Sequence, residues 1–547
     1  MKKLLILGAL LTSTAGANSL SANLPAGAVA TLETQGFGTT ATRVLNVLED
    51  TLDALPAPLN KLTNTAQNLL PYLNGSLFNE ATLGLFTVGS GKGPYALDYL
   101  VVMRVDSGIN EDFQDLASIP EPTARVGRYG FARDGGDFVG QTGDLVYISG
   151  DKNLLMNYLG KLSGKAGPRL GESAAYSAPA QQAGKAELSA YLNFSAGAKL
   201  IRQTLAQEIG LPRLFSPIVD AVDTLGQWRG GLSSTEAGFQ ASSVLAVNPA
   251  GKDAALRALL THTRPEFEIT RVLPADATSV SVNACDSGTG AYLGRWLTRI
   301  DLIDPTGFLS DTQLASELEA QSRYLGDECA QITVADALPG GQARTGVLAG
   351  LSSIVTFQNV TDEEAARAHA ERLTQSVNAA LRSSFTELHA LTSQMGEKKE
   401  DAALAPLLAL LDPKQLDDVS LHTAFKDGYL ITAFSQAALD KALNAEETLA
   451  DNEEFTGSNL TSGNAAFSWS PAPSEEFTGE GLLEKLQGQL RGNPAETVLE
   501  DPEMQEMAAP VLDAFASVLN RYGGASSTTT VTGTSRVTQG QLNFDWE

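Results

Sequence analysis

The chain has 547 residues and a formal net charge of −26 at pH 7. A single hydrophobic core stops growing at roughly 250–300 residues, so two or more domains are expected. Hydrophobic residues make up 43% and charged residues 19%, too apolar for a disordered chain, and the acidic balance disfavours nucleic acid and anionic headgroups as partners.

Lys2-Lys3, the apolar run Leu4–Leu11 and the small residues Ala15-Gly16-Ala17 predict a signal peptide over residues 1–17. They place the protein outside the cytoplasm, in the periplasm or extracellular cell envelope. No later run approaches the ~20 apolar residues that span a bilayer, so no transmembrane segment is expected once the signal is removed. The charged C-terminus and the long helices alternating with strands argue against an outer-membrane barrel.

The mature chain opens on Leu24-Pro25-Ala26-Gly27-Ala28 and a strand, Val29–Thr34. Apolar residues at helical spacing predict helices over 39–55 and 59–73, the second stopping at Pro71-Tyr72-Leu73-Asn74-Gly75. Strands follow over 81–88 and 97–105, then a short helix over 110–117. Strands over 125–132 and 141–149 flank a turn at Asp134-Gly135-Gly136-Asp137. A helix covers Lys152–Leu162. Residues 163–185, rich in Gly, Ser, Ala and Pro, read as a loop. A strand over 186–194, helices over 196–225, a hairpin over 231–247 and a helix over 254–261 close this half.

The second half replays the order. Leu273-Pro274-Ala275-Asp276-Ala277 repeats the opening, with Thr278–Asn283 as its strand. Tyr324-Leu325-Gly326 and the strand Cys329–Val334 match the stop at Tyr72 and the strand after it. A strand region over 347–357 follows. Asp427–Thr432 with its helix matches Gly143–Ile148 with its helix, Ala465–Trp469 matches the strand at Leu188, and Ser527–Asp545 matches the hairpin, Gly540 standing for Gly238. Landmarks repeated in one order predict two homologous domains, 24–262 and 273–547. The expected fold class is α+β: two tandem domains, each an antiparallel-rich sheet packed by amphipathic helices, with a ferredoxin-like core order.

Two features belong to the second half alone. One is a long helix, Asp362–Leu391, with Thr361 and Glu364 as a capping box and Leu373, Val377, Leu381, Phe385 and Leu388 on its core face. The other is the cysteine pair Cys285 and Cys329, either buried thiols or, in an oxidising compartment, a disulfide closing a loop of about 44 residues.

The Leu-Pro-Ala-x-Ala openings at Leu24 and Leu273, the Pro-Tyr-Leu-x-Gly step at Pro71–Gly75 and the Gly-Asp-Leu-Val-Tyr-Ile strand with its helix at Gly143–Leu159 resemble an uncharacterised group of exported bacterial proteins, the domain of unknown function 3352. In the second half Arg323 stands at the Pro71 position and Gly326 follows Leu325 directly, so the match there is looser. The resemblance implies export and an envelope setting and assigns no catalytic residue.

The residues offer no complete chemical constellation. His262, His369, His389 and His422 are dispersed; His369-Ala370-Glu371 has the first half of a zinc-deaminase signature without its cysteines. Gly89-Ser90-Gly91-Lys92-Gly93 has no hydroxyl after the lysine and leads into a strand, unlike a phosphate loop. Ser149-Gly150-Asp151-Lys152 fits Ser-x-x-Lys, but no Lys-Thr-Gly accompanies it, Arg344-Thr345-Gly346 being the nearest, and Asp151 reads better as a helix cap. The aspartates of 301–311 lack calcium-loop spacing. No catalytic, cofactor-binding or metal residue is assigned, and no cofactor is expected. The expected function is a non-enzymatic envelope binding or scaffold module, its partner an unidentified envelope protein or apolar ligand. The alternatives are a carrier or chaperone for apolar envelope ligands and a hydrolase of envelope polymers.

Overall fold

The computed structural model describes residues 19–36, 40, 43–44, 47, 78–90, 93–105, 119–184, 186–205, 211–301, 314–335, 352–396, 420–458, 460–474, 476–490 and 502–546. The signal segment, nearly all of the helices expected over 39–73, the short helix at 110–117, the aspartates beyond Asp301 and the Arg344 motif lie outside them. The chain is α+β, with helices around antiparallel sheet, and divides into two compact units: Met1–Thr261 with Val531–Glu547, and His262–Thr530.

In the first unit the strands are β1 (Ala28–Gln35), β2 (Phe78–Ser90), β3 (Gly93–Val105), β4 (Ala124–Val126), β5 (Tyr129–Asp134), β6 (Asp137–Thr142), β7 (Leu145–Ser149), β8 (Leu188–Asn193), β9 (Gln227–Thr235) and β10 (Gly238–Ala246). They pair antiparallel in the order β4–β5–β6–β7–β3–β2–β1–β8–β9–β10. The helices are α1 (Lys152–Leu162), α2 (Ala174–Ala183), α3 (Phe194–Leu205), α4 (Leu211–Leu225) and α5 (Ala254–Thr261). Side chains alternate across a strand, so an uninterrupted apolar strand must be buried on both faces. β3 does this: Leu100 and Val102 join the core under α1 with Tyr147, Tyr158 and Tyr191, while Val101 and Met103 join a second core with Val146 and Ile148.

The second unit holds β11 (Ser279–Ala284), β12 (Leu325–Thr333), β13 (Ile354–Val360), β14 (His422–Lys426), β15 (Tyr429–Ala433), β16 (Ala466–Ser470) and β17 (Tyr522–Thr532). Their antiparallel order is β14–β15–β13–β12–β11–β16–β17. Its helices are α6 (Thr289–Asp301), α7 (Leu314–Gln321), α8 (Glu363–Gly396), α9 (Gln436–Asn444), α10 (Glu453–Gly457), α11 (Gly479–Leu490) and α12 (Pro502–Asn520). Its main core gathers on one sheet face: Val280, Val282, Ile332, Phe357, Ile431, Phe467 and Trp469. The last strand, β18 (Ser535–Phe544), pairs with β10 from Gly238↔Asn543 to Ala246↔Ser535, and Val531–Glu547 accordingly belongs to the first unit rather than to a domain 273–547.

Several expectations are corrected. Residues 125–132 and 141–149 are not two strands but parts of four, because Gly127 (φ +58) and Gly143 (φ +63) adopt the left-handed conformation and turn the chain. The loop over 163–185 contains α2, which tolerates Pro179 and is anchored by buried Tyr176 and Ala183. A ferredoxin-like core separates the strands of its βαβ unit, whereas β1 pairs directly and antiparallel with β2. The cap of α8 is Asp362, whose Oδ1 accepts the Ala365 N–H at 2.9 Å; Thr361 instead donates to the Tyr324 carbonyl. Of the expected core face of α8, Leu373 is buried and Val377 and Leu381 are half-buried, the side chains of Phe385 and Leu388 lying outside the described residues; Ala366, Ala370 and Ala380 are buried as well. Gly540 lies inside β18 opposite Ala241, and the turn of that hairpin falls at Gly533-Thr534.

Candidate binding face

The repeated openings come first, because they set the register of everything behind them. Leu24 and Leu273 are fully buried. In each unit the leucine carbonyl accepts an N–H from a 3-10 turn after the hairpin helix: Leu170 at 2.7 Å and Leu449 at 2.8 Å. Two residues on, Ala26 N–H donates to Pro168 O and Ala275 N–H to Glu447 O, both at 3.1 Å. Isolated bridges Pro25↔Arg169 and Pro274↔Thr448 complete the pattern. The motif is a structural staple.

Each staple is held from the sheet by a buried glutamate. Glu80 on β2 stands opposite Gln35, and Glu328 on β12 opposite Ala284, the same register point. Glu80 accepts the Leu20 N–H at 2.6 Å and Glu328 the Ile269 N–H at 3.0 Å. Glu328 also accepts from the Tyr429 hydroxyl at 2.9 Å and faces Arg264 at 3.5 Å. Among the described residues Glu80 has only Arg104, at 3.8 Å, for its second oxygen. Burial therefore pushes Glu80 up to about 7; the Leu20 amide opposes this, nearby Glu33 adds to it and Arg104 opposes it. Glu33 is itself saturated, accepting from Ser19 Oγ, Ser21 N–H, Ser21 Oγ and Gln35 Nε2.

With the registers fixed, the two sheets can be compared position by position on the face away from α1 and α9. One cross-strand row in the first unit reads Val139, Ile148, Val101, Leu83, Leu32, Ala190, Gly230. The corresponding row in the second unit reads Thr423, Thr432, Thr356, Gln331, Ser281, Ser468, Ser527. Seven small or apolar residues in one unit stand against seven hydroxyl or amide residues in the other. The next row differs likewise: Leu85, Ala30 and Leu192 stand against Thr333, Ser279 and Ser470. In the first unit Trp228 lies across Gly230, where a Cβ would meet the indole at 2.4 Å; the second unit has Ala525 and Ser527 at these points.

The second face is polar along this row, and α8 packs on its β14–β15 end, where Leu430 is buried with Ala366 and Ala370 and Arg367 lies over the Phe425 ring. β12 alternates strictly from Gly326 to Thr333, with Gln331 exposed at the middle of the row and its neighbours Ala330 and Ile332 buried. The other six row residues are half-buried. Thr356 and Thr432 share a hydroxyl–hydroxyl bond, Ser468 and Ser527 share one at 2.7 Å, and Asn283 Nδ2 donates to Ser281 Oγ at 3.4 Å. Each hydroxyl has one donor and two acceptor sites, so pairing within the row leaves capacity for a ligand. A solvated antiparallel face is ordinarily polar. No row residue, and none two positions along the same strands, is Asp, Glu, Lys or Arg, and the charge brought to this face comes from α8, whose Arg367 lies 4.4 Å over the Phe425 ring.

Cys285 and Cys329 are joined as a disulfide at the end of this face, with Cα atoms 5.8 Å apart. Cys329 stands opposite Asn283, so the bridge pins the β11–β12 pairing. Ser149 is fully buried on β7; its hydroxyl donates to Tyr99 O at 2.8 Å and Asp151 O at 3.1 Å, while Lys152 is exposed. Asp151 caps α1 through the Leu154 N–H at 2.7 Å. Replacing Asp151 by alanine is expected to cost about 1 kcal/mol, read as a lowered denaturation midpoint. His262 faces Asp286, His369 lies between Glu317 and Tyr324, and His422 bonds Ser420. Among the described residues no group of His, Cys, Asp and Glu could hold a metal ion, and no helix is long and apolar enough to cross a membrane.

The row residues fall singly in separate strands, such as Ser281 in Thr278–Asn283 and Gln331 in Cys329–Val334, and no sequence motif joins them. Their signal is the period-2 alternation of Ser279-Val-Ser-Val-Asn283 and Val355-Thr-Phe-Gln358, set against the unbroken apolar run Leu100–Met103 of the first unit.

No known family profile matches the chain, and no curated protein matches it. Among solved structures, crystal form III of TP0453 is similar at 10% identity and a TM-score of 0.25, and crystal form I at 12% and 0.24; each covers 46% of this chain and 89% of the other.

Proposed function

We propose that this is an exported, non-enzymatic cell-envelope protein built from two homologous domains, in which the polar row around Gln331 on the second unit's sheet serves as a binding surface. The observation that carries the reading is the exchange of a small or apolar row for a neutral polar one at matched positions, with Gln331 exposed at its middle. The shared staple, the glutamate at one register point and the common order of strand pairing support duplication. A duplicated scaffold leaves one copy free to diverge: the first unit's row is apolar, with Val101 and Ile148 in its second core, and the second unit's row is polar. Export rests on the signal-like N-terminus and on the resemblance to the domain of unknown function 3352.

The test is co-sedimentation of the full chain with isolated, washed envelope material. The double variant Thr356→Val with Gln331→Leu, which restores the first unit's residues, is expected to reduce retention at least tenfold with an unchanged circular dichroism spectrum. Equal retention of both proteins removes the face from the account.

A second reading, a carrier for apolar ligands, is favoured by exposed apolar side chains on the helices, Phe515 at 56% and Leu293 at 47%. Native mass spectrometry of protein purified from its own envelope separates the two: co-purifying lipid supports the carrier, and a clean apo mass supports the binding face.

A further inference from the structure

Within the envelope setting proposed above, and independently of the polar row, we infer that the outer face of α6 is a contact surface for an anionic lipid bilayer. α6 runs for 13 residues, about 20 Å at 1.5 Å per residue. Glycines fix its inner side. A Cβ added at Gly290 would strike the Leu318 carbonyl and one at Gly294 the Ala315 carbonyl, so α6 lies close against α7 there. Side chains three and four apart share a helix face. Tyr292, Arg295, Trp296 and Arg299 do so, with Leu293 beside them. Leu293 is 47% exposed, both arginines are exposed and both rings are half-buried. The four form a ladder: Arg295 lies over the Tyr292 ring at 5.8 Å, Tyr292 meets Trp296 edge-on at 6.2 Å, and Arg299 lies over Trp296 at 5.3 Å. A guanidinium resting on a ring face keeps its N–H edge for another acceptor.

This stripe carries the opposite charge to the chain. Acidic residues outnumber basic ones 64 to 38, yet none lies between Thr289 and Ile300. Glu319 of α7 packs at Gly294, on the inner side. Arg202, Arg264, Arg367 and Arg372 each face a carboxylate. Among the described residues Arg295 and Arg299 face none. A small free anion would meet two screened charges and leave Leu293 and the rings in water. A nucleic acid would need many more cations than these to overcome a net charge of −26. A bilayer surface offers a partner for each group: phosphates for the arginines, the headgroup zone for Tyr292 and Trp296, and the acyl boundary for Leu293. The net charge does not forbid this contact. At physiological salt, charges beyond a Debye length of about 8 Å are largely screened, so the nearest cations set the local field.

The experiment mixes the full chain with sucrose-loaded vesicles, either phosphatidylcholine alone or an equal mixture of phosphatidylcholine and phosphatidylglycerol, and measures the protein that sediments. Binding is expected to be at least tenfold tighter to the anionic vesicles and to weaken with added salt. Arg295→Glu with Arg299→Glu should lower it at least tenfold. Leu293→Gln, which leaves the glycine contacts with α7 in place, should lower it severalfold. Lys152→Glu with Lys199→Glu makes the same change in net charge at exposed positions of the first unit and should bind as the wild type does. The inference is overturned by no binding to the anionic vesicles, by equal binding to both kinds, by an Arg295/Arg299 variant that binds like the wild type, or by the same loss in the lysine variant. Envelope retention that falls in the Arg295/Arg299 variant while vesicle binding is absent overturns it too, and assigns the face to an acidic protein. Thr356→Val with Gln331→Leu should leave vesicle binding unchanged, so this contact and the polar row fail separately. On washed envelope the two contacts reinforce one another, and loss of either lowers retention.

Discussion

Replacing Cys285 and Cys329 with alanine is expected to lower the stability of the second unit by up to about 4 kcal/mol. The bridge spans 44 residues. On the chain-entropy account, closing a loop of that size removes about 4 kcal/mol worth of freedom from the unfolded chain. The native cost is local: Cys329 lies in β12 opposite Asn283, and Cys285 N–H donates to Asp327 O at 2.8 Å, so β11 and β12 remain hydrogen-bonded without the bridge. The variant should therefore fold with a lowered denaturation midpoint. Dithiothreitol should shift the wild type to the same value. The first unit contains no cysteine, so a probe such as Trp228 in β9 should keep its own transition. A wild type insensitive to reductant, or a variant as stable as the wild type, contradicts this.

The second large effect concerns Glu80. Its carboxyl is pushed from 4.5 to about 7 by burial, against the Leu20 amide and with Glu33 beside it. Below about pH 4.5 it is protonated in both folded and unfolded chains. Between about 4.5 and 7 the folded state keeps a proton that the unfolded state has lost, so this group's contribution to stability falls as pH rises. At 1.36 kcal/mol per pH unit the loss is about 3 kcal/mol, complete above pH 7. Glu80→Gln keeps a carbonyl for the Leu20 N–H and carries no charge. It is expected to raise stability by about 1–3 kcal/mol at pH 8, to give no gain at pH 4.5 and to flatten the slope between them. Urea denaturation of both proteins at the two pH values measures this; a variant less stable than the wild type at pH 8 would show that the charged form is the one the fold favours. Glu328, at the same register point, has the Tyr429 hydroxyl and Arg264 as partners, so Glu328→Gln should lose stability instead.

Much of the strand pattern was readable because local chemistry and tertiary packing agree there. β1, β8, β11 and β16, the α1 and α9 helices and the β9–β10 hairpin fall close to where periodicity and turn residues put them. The errors share a cause: they concern residues whose role is set by distant partners. α2 looks like a loop from its Pro and Ala content, yet Tyr176 packs edge-on against Tyr191 and shares a hydrogen bond with Ser21. Asp362 rather than Thr361 caps α8 because Thr361 is drawn to the Tyr324 carbonyl. Glu80 and Glu328 look like ordinary strand acids, and only the register places each against the staple of its own unit. The candidate face was hidden for the same reason. Ser281, Gln331, Thr356 and Ser468 are unremarkable singly and far apart in sequence; strand pairing brings them into one line.

The repeated Leu-Pro-Ala-x-Ala segment thus opens two units, one with an apolar row on the second face of its sheet and one with a polar row there. The most direct measurement of the resulting claim is a footprint of that second face. Ser281→Cys, prepared without reductant so that Cys285–Cys329 stays closed, is labelled with iodoacetamide in the presence and absence of washed envelope material. The account predicts rapid labelling of the free protein and protection of residue 281 when the envelope is bound. Equal labelling in both conditions, with the protein demonstrably retained on the envelope, would contradict it.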